Sequence, residues 1–163
     1  MRRDDMYRLL SVIIGIAASV ALSYVSHRLN LPIYPDAVGT IGVTAIGGIF
    51  YGILTAVFTD TLCMAFNGDA LYFAIVNVIT AIFTAWFVRE KNYRKIKNII
   101  IFTLSSGLIG GGLSGIIQWT LFKEPQSEAI ADMMERINIQ SFVLSFLLFL
   151  FINLKIFRTL FLI

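Results

Sequence analysis

The residues able to do chemistry in this chain are few, and most are lone polar groups inside apolar runs. Asp60 is the one charged residue between Val38 and Phe66. A carboxylate at the centre of a bilayer costs about 2.5–3.5 kcal/mol on insertion scales. Such a group needs a cationic ligand, a proton or ion, or hydrogen-bond donors such as Thr59, Thr61 or a neighbouring helix. Asn77 lies in the next apolar run, Gln118 and Trp119 end the fourth, and Asn138, Gln140, Ser141 and Ser145 open the last. Tyr34 and Asp36 stand just before the second run, in LPIYPDAVGT. Acids and amides that converge from several helices can fix the polar groups of a small solute. Trp119, Tyr34 and Tyr72 can stack on a ring. The alternative is that each polar residue caps a helix or bonds across helices, as Asn, Gln and Ser do in membranes.

Several chemistries are excluded. His27 is the single histidine and sits beside Arg28 at the edge of an apolar run, so it has no convergent metal ligands. Cys63 is the single cysteine, which rules out an internal disulfide and reads as a small buried hydrophobe. No Ser–His–acid set and no paired carboxylates are visible, so no catalytic residue, metal or cofactor is expected. Gly110-x-Gly112-x-x-Gly115 spells the dinucleotide fingerprint but follows no strand, which removes its physical basis. The basic residues flank apolar segments instead of forming a face, so nucleic acid is not a partner.

The elements that position these residues follow from composition. Of 163 residues, 58% are hydrophobic and 14% charged, with a mean hydropathy of +0.82, against about 25% charged in soluble domains. The apolar runs are Arg8–Ser26, Val38–Phe66, Ala70–Val88, Ile99–Phe122 and Ile139–Ile152. Their lengths approach the roughly 20 residues that cross a bilayer. The N-terminal run resembles a signal peptide, but it reaches Val25 and is long enough to span. The expected fold is one all-α integral membrane domain over residues 1–163.

Charge decides the number of crossings. Arg89–Asn98 carries five basic residues and one acidic one, and Arg2, Arg3 and Arg8 precede the first run. Positively charged short loops lie on the cytoplasmic side. Both can do so only if Val38–Phe66 crosses twice, with a break at Gly47-Gly48, where glycine turns without a Cβ penalty. The expectation is six transmembrane helices, a short glycine-broken second helix, and both termini cytoplasmic. The second helix is too short to cross alone and must be surrounded by protein or sit beside a cavity. The outer loops are expected at Asn30–Ala37, Asn67–Asp69 and Lys123–Arg136. All the candidate polar residues then fall in the outer half. The stripe Gly48–Gly52–Ala56–Asp60 leads up one face of helix three to the acid.

Small residues recur on helix one, including Ala17-x-x-x-Ala21, and on helix five from Ser105 to Gly115. Such spacing brings backbones close in lipid. Helix five reads as internal packing; helix one reads as either packing or a groove for a partner. Gln126–Ile137 has Ile130, Met133, Met134 and Ile137 at helical spacing. It is expected as an amphipathic surface helix, with or without a role as a lid.

Leu31, Pro32, Tyr34, Asp36, Gly39 and Thr40, followed by the glycine break and Gly48-x-x-x-Gly52, resemble the S components of energy-coupling factor transporters. The resemblance covers the six-helix plan of nearly the whole chain. It implies a subunit of a bacterial cytoplasmic membrane that captures a vitamin-like solute from outside. Delivery would need a transmembrane coupling subunit and cytoplasmic ATPases, since the chain has no Walker motif. Carried onto this sequence, the family's binding positions are Tyr34, Asp36, Asn77, Gln118, Trp119 and Asn138, and its coupling-subunit contact is Ala17 and Ala21. Asp60, Gln140 and Ser141 enter the candidate site from the residue reading alone. The chain ends on IFRTLFLI without a polar tail. That ending supports an alternative, an S-component-like ligand-sensing domain of a longer signalling protein.

Overall fold

A computed structural model of the chain describes residues 3–29, 35–91, 95–123, 125–131, 133–135 and 137. Among the described residues there is no strand. In chain order they form α1 (Arg3–Arg28), α2 (Ala37–Gly47), α3 (Ile49–Cys63), a 3₁₀ turn (Ala70–Phe73), α4 (Ala74–Glu90) and α5 (Ile96–Leu121). Asp5–Arg28, Ala70–Glu90 and Ile96–Leu121 are long and apolar enough to cross a membrane. The described residues are thus helical with short turns, and three such helices mark the chain as a membrane protein. Tyr34, Asn138, Gln140 and Ser141, the expected last crossing and the C-terminus lie outside the described residues.

The predicted break in the second apolar run is present. Gly48 separates α2 from α3 with φ 93° and ψ 178°, a backbone conformation that strains residues with a Cβ. The two helices fold back on each other there. Gly52 lies so close to Thr44 that a Cβ on it would overlap the threonine side chain. Residues equidistant from Gly48 thus face each other across the hairpin: Thr44 meets Gly52, and further up Asp36 meets Asp60. Of the stripe Gly48–Gly52–Ala56–Asp60, the last three residues are buried and Gly48 is half-buried at the turn.

At 11 residues, α2 is only about 16 Å long, against a hydrocarbon core of about 30 Å. It is shielded by α1, α3 and α4, all of which pack on it. Gly39 approaches Gly15 of α1 so closely that a Cβ would overlap the Gly15 carbonyl, and its N–H donates to Ser19 Oγ at 2.9 Å. Gly15 also faces Val43 and Thr55, so α1 seats on both legs of the hairpin. Val12, Gly15, Ser19 and Ser26 form its buried face.

The expected outer loop Lys123–Arg136 is shorter than the sequence suggests. Lys123 turns with φ 54°, Pro125 accepts from Glu128 and Ala129 N–H, and the chain is helical again from 126. Of the expected apolar set, Met133 and Ile137 turn inward while Ile130 and Met134 are exposed. The segment runs back along α5, with Ala129, Met133 and Ile137 against Gly115 and Gly111. The glycines of α5 form the groove, and a groove without side chains selects whichever neighbouring face is nearest in register.

Candidate functional site

Asp36, Asp60 and Asn77 meet at one end of the bundle. Asp36 precedes α2, and its Oδ1 accepts from Ala37 N–H at 3.0 Å. Asp60 sits in the last turn of α3, and the hairpin sets it opposite Asp36. Asn77 enters from the first turn of α4. Its Nδ2 donates to Asp36 Oδ2 at 2.8 Å and to Asp60 Oδ1 and Oδ2 at 2.9 and 3.0 Å. Asp60 is 1% exposed and Asn77 3%, whereas Asp36 is only partly buried. The cluster is thus closed towards the bundle and reaches the surface beside Asp36.

This arrangement corrects one reading of the sequence. Paired carboxylates were not visible there, yet Asp36 and Asp60 form such a pair, joined by one amide. Proximity in the chain gives no hint, because the pairing depends on the register of the hairpin about Gly48. Two acids on one amide can hold a cationic or hydrogen-bond-donating group. A buried pair needs such compensation, since burying uncompensated charge is costly.

Beneath the acids runs a seam of small hydroxyls. Thr44, Thr55, Thr80 and Thr84 each donate to the backbone carbonyl one turn earlier, at 2.6, 2.8, 2.9 and 2.7 Å. Thr40 is fully buried, and its hydroxyl has no hydrogen-bond partner. It lies on α2 between Asp36 and Thr44 at one-turn spacing, so it shares the face that both turn to α3. Thr40 is not among the site residues expected from the sequence; its signal is the spacing Asp36–Thr40–Thr44 mirrored by Gly52–Ala56–Asp60.

The remaining candidates divide. Gln118 is buried on α5 at 7% exposure. Phe122, one turn above it, stacks on Phe73, one turn above Asn77, with ring centroids 6.3 Å apart. Gln118 and Asn77 therefore share a level of the bundle. Trp119 is 52% exposed and faces away from the interior, because one residue along a helix turns the side chain by about 100°. Tyr72 is also exposed and meets Phe122 edge-on. Ala17 and Ala21 lie on the exposed side of α1, opposite the face that packs on the hairpin. Among the described residues no three or more His, Cys, Asp or Glu side chains gather as a metal site.

No family model, curated protein or solved structure gives a significant match to the chain.

Proposed function

We propose that the chain is a membrane-embedded binding subunit that captures a small polar solute at the Asp36 end of the bundle and passes it to an energy-coupling module. The observation that carries this reading is the Asp36–Asn77–Asp60 cluster. Three helices converge to place two carboxylates and an amide where lipid-embedded proteins rarely keep them without use. The resemblance to S components supports the same end of the bundle as the site. Arg8, Arg89, Lys91, Lys95 and Lys97 all lie towards the Gly48 end, which favours that end as cytoplasmic and the acid cluster as outward. In this reading, the helical residues from 126 begin a sixth crossing of the cell membrane, with both termini cytoplasmic.

Energy would come from partners. The exposed Ala17 and Ala21 give α1 a smooth face on which a helix of a coupling subunit can pack closely, and that subunit would connect to cytoplasmic ATPases. The test is to purify the full chain in mild detergent and measure thermal shifts across a panel of vitamins and vitamin-like solutes. Native mass spectrometry of the same sample would identify any retained small molecule. A solute that shifts the wild type but not Asn77→Ala supports capture at the cluster. A panel without a shift, together with a mass spectrum of bare protein, refutes it.

A further inference from the structure

We infer that Asp36 and Asp60, with Thr40 and Asn77, form a site for a hard metal cation. This deepens the solute-capture reading at the same cluster; the sequence offered an ion only as one of several partners for Asp60, and named no metal site. The hydrogen bonding of Asn77 is the first reason. One amide nitrogen carries two hydrogens, yet three carboxylate oxygens surround it at 2.8–3.0 Å. Two hydrogens are therefore shared among three acceptors. The surroundings of Asp60 are the second reason. Among the described residues it has no cationic partner, while it lies against a second acid.

Thr40 supplies an independent third reason. Its neighbours in the seam donate their hydroxyls to the preceding turn. The Thr40 hydroxyl is as deeply buried and has no partner. The contacts of Thr44 with Gly52 and of Asp36 with Asp60 bracket it, so it looks into the seam one turn beneath the acids. An unsatisfied buried hydroxyl is costly, and a cation between the acids would use its oxygen.

The donor set defines the ligand. Two carboxylates, a hydroxyl and the amide oxygen of Asn77, presented after a turn of its side chain, are all hard oxygen donors. Such sets suit calcium or an alkali cation and not softer transition metals. The partly exposed Asp36 gives the ion a way in.

The test uses the full chain in detergent, stripped with chelator and exchanged into choline chloride. Equilibrium dialysis with ⁴⁵Ca or ²²Na reports binding directly, and thermal unfolding with CaCl₂ or NaCl reports its effect. The expected result is saturable retention of one of the ions with a matching rise in the unfolding midpoint. Binding should be lost in Asp60→Asn and weakened roughly 10-fold in Thr40→Val. Thr40→Val preserves shape, so it decides the matter if Asp60→Asn fails to fold. Absence of saturable retention of both ions, or equal retention in Thr40→Val and wild type, overturns the inference. The vitamin panel is run with and without the ion. Ion retention decides the cation site and solute shifts decide the capture reading, so either can fail alone.

Discussion

Replacing Asn77 tests whether the cluster is held by the amide. In Asn77→Leu the side chain keeps its branching pattern but gains bulk and loses both N–H donors, leaving Asp36 and Asp60 facing each other. A hydrogen bond to a charged group contributes about 1.5–3 kcal/mol in soluble proteins. Side-chain bonds between membrane helices average about 0.6 kcal/mol. Two bonds therefore bracket the loss between about 1 and 6 kcal/mol. Asp60 and Asn77 are almost wholly buried, so solvent does little to compensate the acids once the amide is gone, and we expect about 3 kcal/mol. Unfolding free energies in metal-free mixed micelles of dodecyl maltoside and SDS measure it. The decisive variant is Asn77→Leu combined with Asp60→Asn. Removing one charge should recover part of the loss, giving a coupling of at least about 1 kcal/mol in the double-mutant cycle. Losses that add within about 0.5 kcal/mol would show that Asn77 does not stabilise the fold through Asp60.

Gly48 and Gly42 both have open space where a Cβ would go, but only Gly48 has positive φ. Gly48→Ala should cost about 1–3 kcal/mol, whereas Gly42→Ala should be neutral or stabilise by up to about 1 kcal/mol; equal effects in the same unfolding assay would refute the turn. Gly52→Ala drives a methyl into Thr44 and should destabilise by about 1–3 kcal/mol. Thr44→Ala in that background should recover part of the loss, since it removes the nearest atom and leaves the Cβ. With Cys63 replaced by serine, single cysteines at Met6 and Lys91 should label from one side of the membrane and a cysteine at Asp69 from the other. Labelling of Met6 and Lys91 from opposite sides would contradict the α2–α3 hairpin.

The path of the backbone was more legible in the sequence than the site was. Parity of the charge clusters demanded two crossings in Val38–Phe66, and the only adjacent glycines there marked the break. The structure turns at Gly48. The requirement that so short a helix be sheltered is met by α1, α3 and α4. Asp60 and Asn77 were legible because isolated polar groups in apolar runs must face inward, and both do. Their partnership with Asp36 was not, because helix faces can be read from periodicity but the register between two helices cannot. Trp119 shows the same limit on a smaller scale. Its neighbour Gln118 is buried and it is not, and in a helix that is apolar all round no moment tells adjacent residues apart.

The interior of this bundle explains why the acids can meet at all. Among the described residues, its most deeply buried side chains include Thr40, Thr55, Thr59, Thr84, Asp60, Ser19 and Ser106, while Phe50, Ile75, Trp86 and Leu108 are exposed. In water that distribution would be unstable. In lipid the tails are as apolar as leucine, so large side chains gain little by turning inward, and close packing decides association. Small hydroxyls and glycines then bring α2 against α1 and α3 with little side-chain bulk between them. That close approach fixes the facing pairs on either side of Gly48. Adding one residue to α3 after Gly48 would rotate its later positions by about 100° and carry Asp60 away from Asn77. The polar site and the small-residue packing are thus one design: the packing sets the register, and the register places two carboxylates on a single amide.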